Sequence, residues 1–334
     1  MSRLCLAAKL WWVTIGRAAF GCTDQCQCTD YSRCHLVCPN NARTYVHRIR
    51  EVDGLSLDNI SVAPAFPPIV LPEVVTAVYH RSRRRQSLVA DAIAIPLNRL
   101  VNSKGKLKYR DRESLAKRFR ISPHSQLIIS GVSKDRFLEM LWERRSAELL
   151  EQLRLLNPDL VTSPNFSLFA NAPRVDNLYN MKRIARVWRE FAVAGIRCAL
   201  HIYARTPTDM ESWTTFVNDH PELTWVSVEF STGLRRKRFA QMFLSWLVRF
   251  GDRTNRRLNV IVRGGRRHLG ALRDHFRSVV YVDSDAFFRA MKNRQLEMGP
   301  DGKWNWESVF TLEGQPVDDI LAENVRCIRQ RGSS

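Results

Sequence analysis

From about residue 88 the chain alternates short apolar runs with longer amphipathic stretches. The runs Ala92–Leu97, Leu127–Ser130, Leu160–Ser163, Cys198–Tyr203, Thr224–Phe230, Leu258–Val262 and Val279–Val282 have the length and continuity of strands buried on both faces. An eighth strand is expected within Ile69–Tyr79. The clearest helix spans Leu234–Phe250: Phe239, Met242, Phe243, Trp246, Leu247 and Phe250 recur with helical spacing, and Gly251 reads as a stop. A second covers Val175–Ala194, with Leu178, Met181, Ile184, Trp188 and Phe191 inward and Gly195 closing it. A third runs from Asp135 to Leu156. These aromatic stripes match burial against a sheet and need no cofactor to explain them.

Strands alternating with helices imply a mostly parallel α/β sheet. A (β/α)8-like barrel is the preferred closure, with an open doubly wound parallel sheet as the alternative. The chain divides into a Cys-rich module (1–50), a Pro-containing connector ending in a basic run (51–87), the βα domain (88–295) and an irregular extension (296–334).

The first module carries the most distinctive pattern. Cys22, Cys26, Cys28, Cys34 and Cys38 form C-x3-C-x-C-x5-C-x3-C, followed by Pro39, whereas the remaining residues hold only three cysteines. Such crowding argues against a disulfide framework spread through a domain. Clustered thiolates suit soft or borderline metals, so the expected cofactor is an iron–sulfur cluster, the alternative zinc, and the expected role structural. The spacing departs from the radical S-adenosylmethionine pattern at the third cysteine. The apolar runs Leu4–Ala8 and Leu10–Ile15 are interrupted by Lys9 and Arg17, too short for an export signal, so a cytoplasmic location is expected.

Charge changes the functional picture. With 52 Lys+Arg against 33 Asp+Glu, the net charge is +19, which points to a polyanionic partner such as DNA or RNA. Hydrophobic residues make up 45%, enough for a large core, yet no run approaches the length of a spanning helix. Tyr109 and Phe119 sit among Lys104, Lys106, Lys108, Arg110, Arg112, Lys117, Arg118 and Arg120, an arrangement single-strand binders use for stacking beside charge.

In barrels and open α/β sheets, chemistry gathers at the carboxyl ends of the strands. The candidates there are Asn165, His201, Glu229, Asp283 and Asp285: His201 with Glu229 as an acid/base pair, or Glu229, Asp283 and Asp285 as a carboxylate metal set. Helix capping by the two aspartates and a satisfied core histidine are the alternatives. Arg205 lies beside them. Two loops suggest phosphate binding. Gly233 precedes Arg235, Arg236, Lys237 and Arg238, cations in a first helical turn where the dipole disfavours them. The next strand ends in Arg263, Gly264, Gly265, Arg266 and Arg267, whose glycines permit close backbone approach.

The segments I-P-L-N-R-L-V-N-S-K-G-K-L (Ile95–Leu107), S-P-N-F-S-L-F (Ser163–Phe169), P-R-V-D-N-L-Y-N-M-K-R (Pro173–Arg183) and E-F-S-T-G (Glu229–Gly233) resemble an uncharacterised domain-of-unknown-function family of phages and bacterial mobile elements. That resemblance implies a mobile-element or defence context and no particular reaction. Its matching positions are Asn165, Ser167, Arg174, Asn180, Glu229 and Gly233. The sequence thus predicts an enzyme acting on a nucleotide or nucleic acid, the alternative being a non-catalytic nucleic-acid-binding factor with a structural metal site.

Overall fold

The computed structural model describes residues 42–169, 172–231, 234, 237–312 and 315–332. Among these, eight parallel strands close into a barrel in sequence order: β1 (Val74–Ala77), β2 (Ala92–Pro96), β3 (Gln126–Ser130), β4 (Leu160–Thr162), β5 (Cys198–His201), β6 (Trp225–Glu229), β7 (Asn259–Arg263) and β8 (Ser278–Asp283). Closure is set by the pairing of Val75 with Val282. The barrel replaces the open sheet as the answer. All eight expected strands are present, the eighth inside the stretch read mainly as connector.

The helices are α1 (Ala42–Glu51), α2 (Arg112–Phe119), α3 (Asp135–Arg144), α4 (Ala147–Leu155), α5 (Arg174–Val193), α6 (Pro207–Asp219), α7 (Lys237–Arg253), α8 (Asp285–Ala290) and α9 (Asp318–Gly332). The long helix expected over 135–156 is two, because Ser146 adopts an extended backbone and caps the second through Leu149 N–H. Gly251 does not stop α7, which continues to Arg253. A Cβ there would lie 2.9 Å from the His275 carbonyl oxygen, so this glycine serves close packing. Gly195, at φ +77°, does follow the end of α5 as expected.

The connector has a definite path. Buried Val52, Leu57, Ile60, Ala63 and Leu71 join the core. Ala63 N–H donates to Glu222 (2.8 Å), Pro67 C=O accepts from Arg197 (2.9 Å) and Val70 C=O accepts from Gln126 (2.9 Å). Those partners lie at or just before the starts of β6, β5 and β3, so the proline-rich stretch passes beneath the barrel's amino ends. In the following basic run, Arg84 is buried and donates to Phe119 and Arg120 carbonyls, with Asp318 3.7 Å away.

The tail is not irregular. Strands β9 (Arg294–Met298) and β10 (Trp304–Ser308) form an antiparallel hairpin, and α9 packs against β1, α8 and β9. Fully buried Asn324 fastens the three together: it accepts from Leu296 N–H (2.7 Å) and donates to the Arg294 carbonyl (2.9 Å) and, more weakly, to that of Ala286. Among the described residues no helix is long and apolar enough to cross a membrane.

Candidate functional site

Side chains alternate between the barrel interior and the helix layer, so register decides which strand-end residues share a face. His201 is the partner of Ser227, and Glu229 is the partner of Arg263. Ser227 and Glu229 are two residues apart on β6, which puts His201, Glu229 and Arg263 on one side, with Glu229 about 7 Å nearer the mouth than Ser227.

A cavity of about 110 Å³ opens here, lined by Asn165, Ser167, Leu168, Phe169, His201, Tyr203, Arg205 and Glu229. It has room for a few waters or one small polar group. Glu229 accepts from Asn165 Nδ2 (2.9 Å) through one oxygen and from the Ser231 hydroxyl through the other. A carboxylate has about four acceptor positions, so these two bonds orient it without saturating it. Asn165 is itself held, since its Oδ1 accepts from Ser133 N–H at 2.9 Å.

Arg205 and Tyr203 form the opposite wall. Arg205 Nη1 approaches the Tyr203 hydroxyl at 3.3 Å, while its buried Nε has no acceptor among the described residues. The Arg205 backbone is fixed by Asp209, whose Oδ2 accepts from the N–H groups of Arg205 (2.7 Å) and Thr206 (3.0 Å). Asp209 is fully buried, and its other oxygen pairs with the buried Arg174 guanidinium. Burial also pushes the Tyr203 hydroxyl pKa up, with Arg205 opposing.

His201 lines the cavity but makes no acid/base pair with Glu229. Its Nδ1 faces the Ser227 hydroxyl at 3.4 Å, and burial without a neighbouring carboxylate pushes its pKa down to about 3. Burial thus disfavours the charged imidazolium form of His201.

The carboxylate metal set also fails. Asp283 and Asp285 do not line the cavity, and among the described residues no three His, Cys, Asp or Glu side chains gather as metal ligands. Asp283 accepts from Ala286 N–H (2.8 Å) at the start of α8, and Asp285 is an exposed residue in that helix's first turn. They serve the helix terminus. Burial pushes the Asp283 pKa up to about 6, with Asp285 adding and the backbone bond opposing.

Gly233, Arg235 and Arg236 lie outside the described residues, as do Cys22, Cys26, Cys28, Cys34 and Cys38. Lys237 and Arg267 are exposed. Arg266 donates to the Ile328 carbonyl (3.2 Å) and lies 5.8 Å from the Tyr281 ring centroid; burial lowers its pKa. Gly264 and Gly265 have φ of +68° and +61°, and a Cβ on Gly265 would lie 2.6 Å from Phe230 Cβ. These glycines allow the loop after β6 to pack closely. Arg263, at the end of β7, donates to the Tyr79 hydroxyl (2.8 Å), which in turn contacts Ser284 (3.0 Å).

Asn177 escaped the sequence reading, whereas Asn180 was among the positions matched by the resemblance. Asn177 clamps the backbone of Phe169 by accepting its N–H (2.9 Å) and donating to its carbonyl (2.8 Å). Asn180 donates to the Ser167 carbonyl (2.6 Å). The available signal was two asparagines three apart, hence on one face of α5. Conversely, Phe119 is core, packed edge-on against Tyr109 at 5.8 Å, so this pair is no stacking platform. The described cysteines, Cys198 and Cys327, are buried thiols; burial pushes Cys327 up to about 11.

No family model and no curated protein matches the chain. Among solved structures, the crystal structure of the YdjI aldolase from Escherichia coli K12 is similar, with 9% identity over 78% of this chain and 88% of that one and a TM-score of 0.36. The assignment as a (β/α)8 barrel rests on this chain's own strand order and register.

Proposed function

We propose that the chain is an enzyme acting on a nucleotide or nucleic acid, with Glu229 as the reacting carboxylate at the barrel mouth. The observation that carries this reading is the pairing, in one cavity, of an oriented but unsaturated carboxylate with a guanidinium whose buried Nε has no acceptor. A buried charged donor left open is costly unless a ligand completes it. Arg205 and Arg263 then hold an anionic group, while Glu229 takes a proton from, or attacks, the atom placed before it. Neutral His201 shapes the floor without carrying charge. The net charge of +19 favours a polyanionic substrate.

The cysteine run is proposed as a metal centre on donor chemistry alone: thiolates hold iron–sulfur clusters or, as the alternative, zinc. Its role in this reading is structural. Anaerobic purification with metal analysis and an absorbance spectrum tests it; protein free of both iron and zinc removes the metal centre. The resemblance to a mobile-element family supports a mobile-element or defence context for the substrate.

A second reading, a non-catalytic nucleic-acid-binding factor, is favoured by exposed Lys104, Lys106, Lys108, Arg110, Lys117 and Arg118 along one segment. One experiment separates the two. Wild type and Glu229→Gln are incubated with mixed-sequence DNA and RNA oligonucleotides and with mononucleotides; binding is followed against salt and products by mass spectrometry. The enzyme reading expects a covalent change that Glu229→Gln loses while salt-sensitive binding persists. Binding with no covalent change by wild type overturns it in favour of the factor, and absence of binding at low salt overturns both.

A further inference from the structure

A polar hollow of about 180 Å³ lies away from the mouth, between α5 and the connector, lined in part by Lys182, Arg186, Arg189, Asp53 and Asn59. Lys182, Arg186 and Arg189 follow at i, i+4 and i+7, so they emerge along one stripe of α5. Like charges at this spacing oppose the helix unless something intervenes.

The protein does not supply a full counter-charge. Lys182, only 1% exposed, donates to the Ser56 carbonyl and to Asn59 Oδ1. Arg186 donates to the Glu51 carbonyl (3.2 Å) and Arg189 to that of Ser61 (3.1 Å). All of these acceptors are neutral. Among the described residues no carboxylate accepts a hydrogen bond from any of the three cations. Glu190, which also lines the hollow, pairs with Arg145 at 3.1 Å. Burial, helped by Arg186, pushes the Lys182 pKa down to about 8, while Asp53 and Asp58 oppose the shift from a distance. Each guanidinium has five N–H donors, so most of those on Arg186 and Arg189 have no protein acceptor.

We propose that this hollow is an oxyanion site that takes a phosphate group, separate from the strand-end cavity. Two guanidinium forks and an ammonium around a small polar space match the charge and acceptor geometry of a phosphate. The bound group joins α5 to residues 51–61, which also meet through neutral carbonyls, Asn59 and the Glu51 carboxylate, which accepts from the Tyr179 hydroxyl (2.6 Å). The phosphate is supplied either as inorganic phosphate or by a polynucleotide backbone. The hollow is separate from Glu229 and shares no lining residue with its cavity.

The test is the melting temperature of the full chain in sodium phosphate against sodium chloride at matched ionic strength, and separately with a single-stranded DNA oligonucleotide. Wild type is compared with the Arg186→Gln/Arg189→Gln double variant, and with Arg267→Gln as a control for surface charge. A phosphate-specific upward shift in wild type and in the control, weakened about tenfold or more in apparent affinity in the double variant, supports a free-phosphate site. Loss confined to the DNA-induced shift assigns the site to a polynucleotide backbone. If wild type shows neither shift, or the double variant keeps both, the proposal is overturned. Should the double variant fail to fold, each single glutamine variant reads the same loss.

Discussion

The β4–β6 side of the barrel mouth and the β7–β8 side begin with similar polar residues and end with opposite fates. On the first side, Glu229 is oriented by Asn165 and Ser231 with acceptor capacity left, and Arg205 keeps a buried N–H open. On the second, Arg266 spends donors on Ile328, Asp283 spends its carboxylate on Ala286, and Gly265 is filled by Phe230. A polar strand-end residue is available for chemistry only when no neighbouring element has consumed its hydrogen bonds. The C-terminal helix and α8 do this at β7 and β8; at β4–β6 the loops close on themselves and leave a cavity.

The largest expected effect lies on the open side. Glu229→Gln should lower turnover by about 10²–10⁴-fold while leaving the urea unfolding midpoint unchanged; Asp283→Asn should leave turnover intact. Equal losses from the two would erase the contrast. Next comes the packed side: Gly265→Ala forces a Cβ onto Phe230 at φ +61° and should cost about 2–3 kcal/mol of stability, read by urea denaturation. A tolerated alanine would mean that the loop is looser than its contacts indicate.

Asn165→Ala removes the Glu229 partner and the acceptor for Ser133 N–H. About a tenfold drop in turnover is expected, corresponding to one lost hydrogen bond, with rescue by Asn165→Gln being partial at most.

The pH dependence of stability separates the two sides more finely. Asp283 has a folded pKa of about 6 against 3.8, so between those values the folded chain binds a proton that the unfolded chain releases. Its contribution is greatest below about pH 4 and is lost as pH rises through about 6. Asp283→Asn keeps the cap and should raise stability at pH 7 by about 1 kcal/mol. His201 works in the other direction. With a pKa near 3 against 6.5, it lets the unfolded chain gain the proton first, so acidification below about pH 6.5 destabilises the fold. Urea titrations of wild type, Asp283→Asn and His201→Gln from pH 4 to 7 check the signs. The smallest effect belongs to exposed Arg267: Arg267→Gln should change stability by less than about 0.5 kcal/mol and only slightly reduce salt-sensitive DNA binding.

Much of the architecture was legible because it is written locally. Fully apolar strand runs such as Ile93–Ile95 and Val260–Val262, and the α7 stripe from Phe239 to Phe250, carry their burial in their own spacing. Asn165, Glu229 and Arg205 were found because strand ends are where a barrel places chemistry. Tyr79, Asn177 and Asp209 were not, since each matters through a partner on another element: Tyr79 meets Arg263 across the β8–β1 seam, and Asp209 of α6 pairs with Arg174 of α5. Nor does strand-end position reveal that Asp283 of β8 accepts from Ala286 N–H or that Gly265, after β7, makes room for Phe230.

Sequence by itself determined the eight strands, the helix layer, the strong positive charge and the crowded thiols, because periodicity and composition are properties of neighbours along the chain. Tertiary structure decided the barrel closure, the path of the connector beneath it, and which strand-end polar groups stay open. Those outcomes depend on hydrogen bonds and contacts between residues far apart in the chain, such as Glu229 with Asn165 and Arg263 with Tyr79, and no local pattern encodes which distant group arrives first.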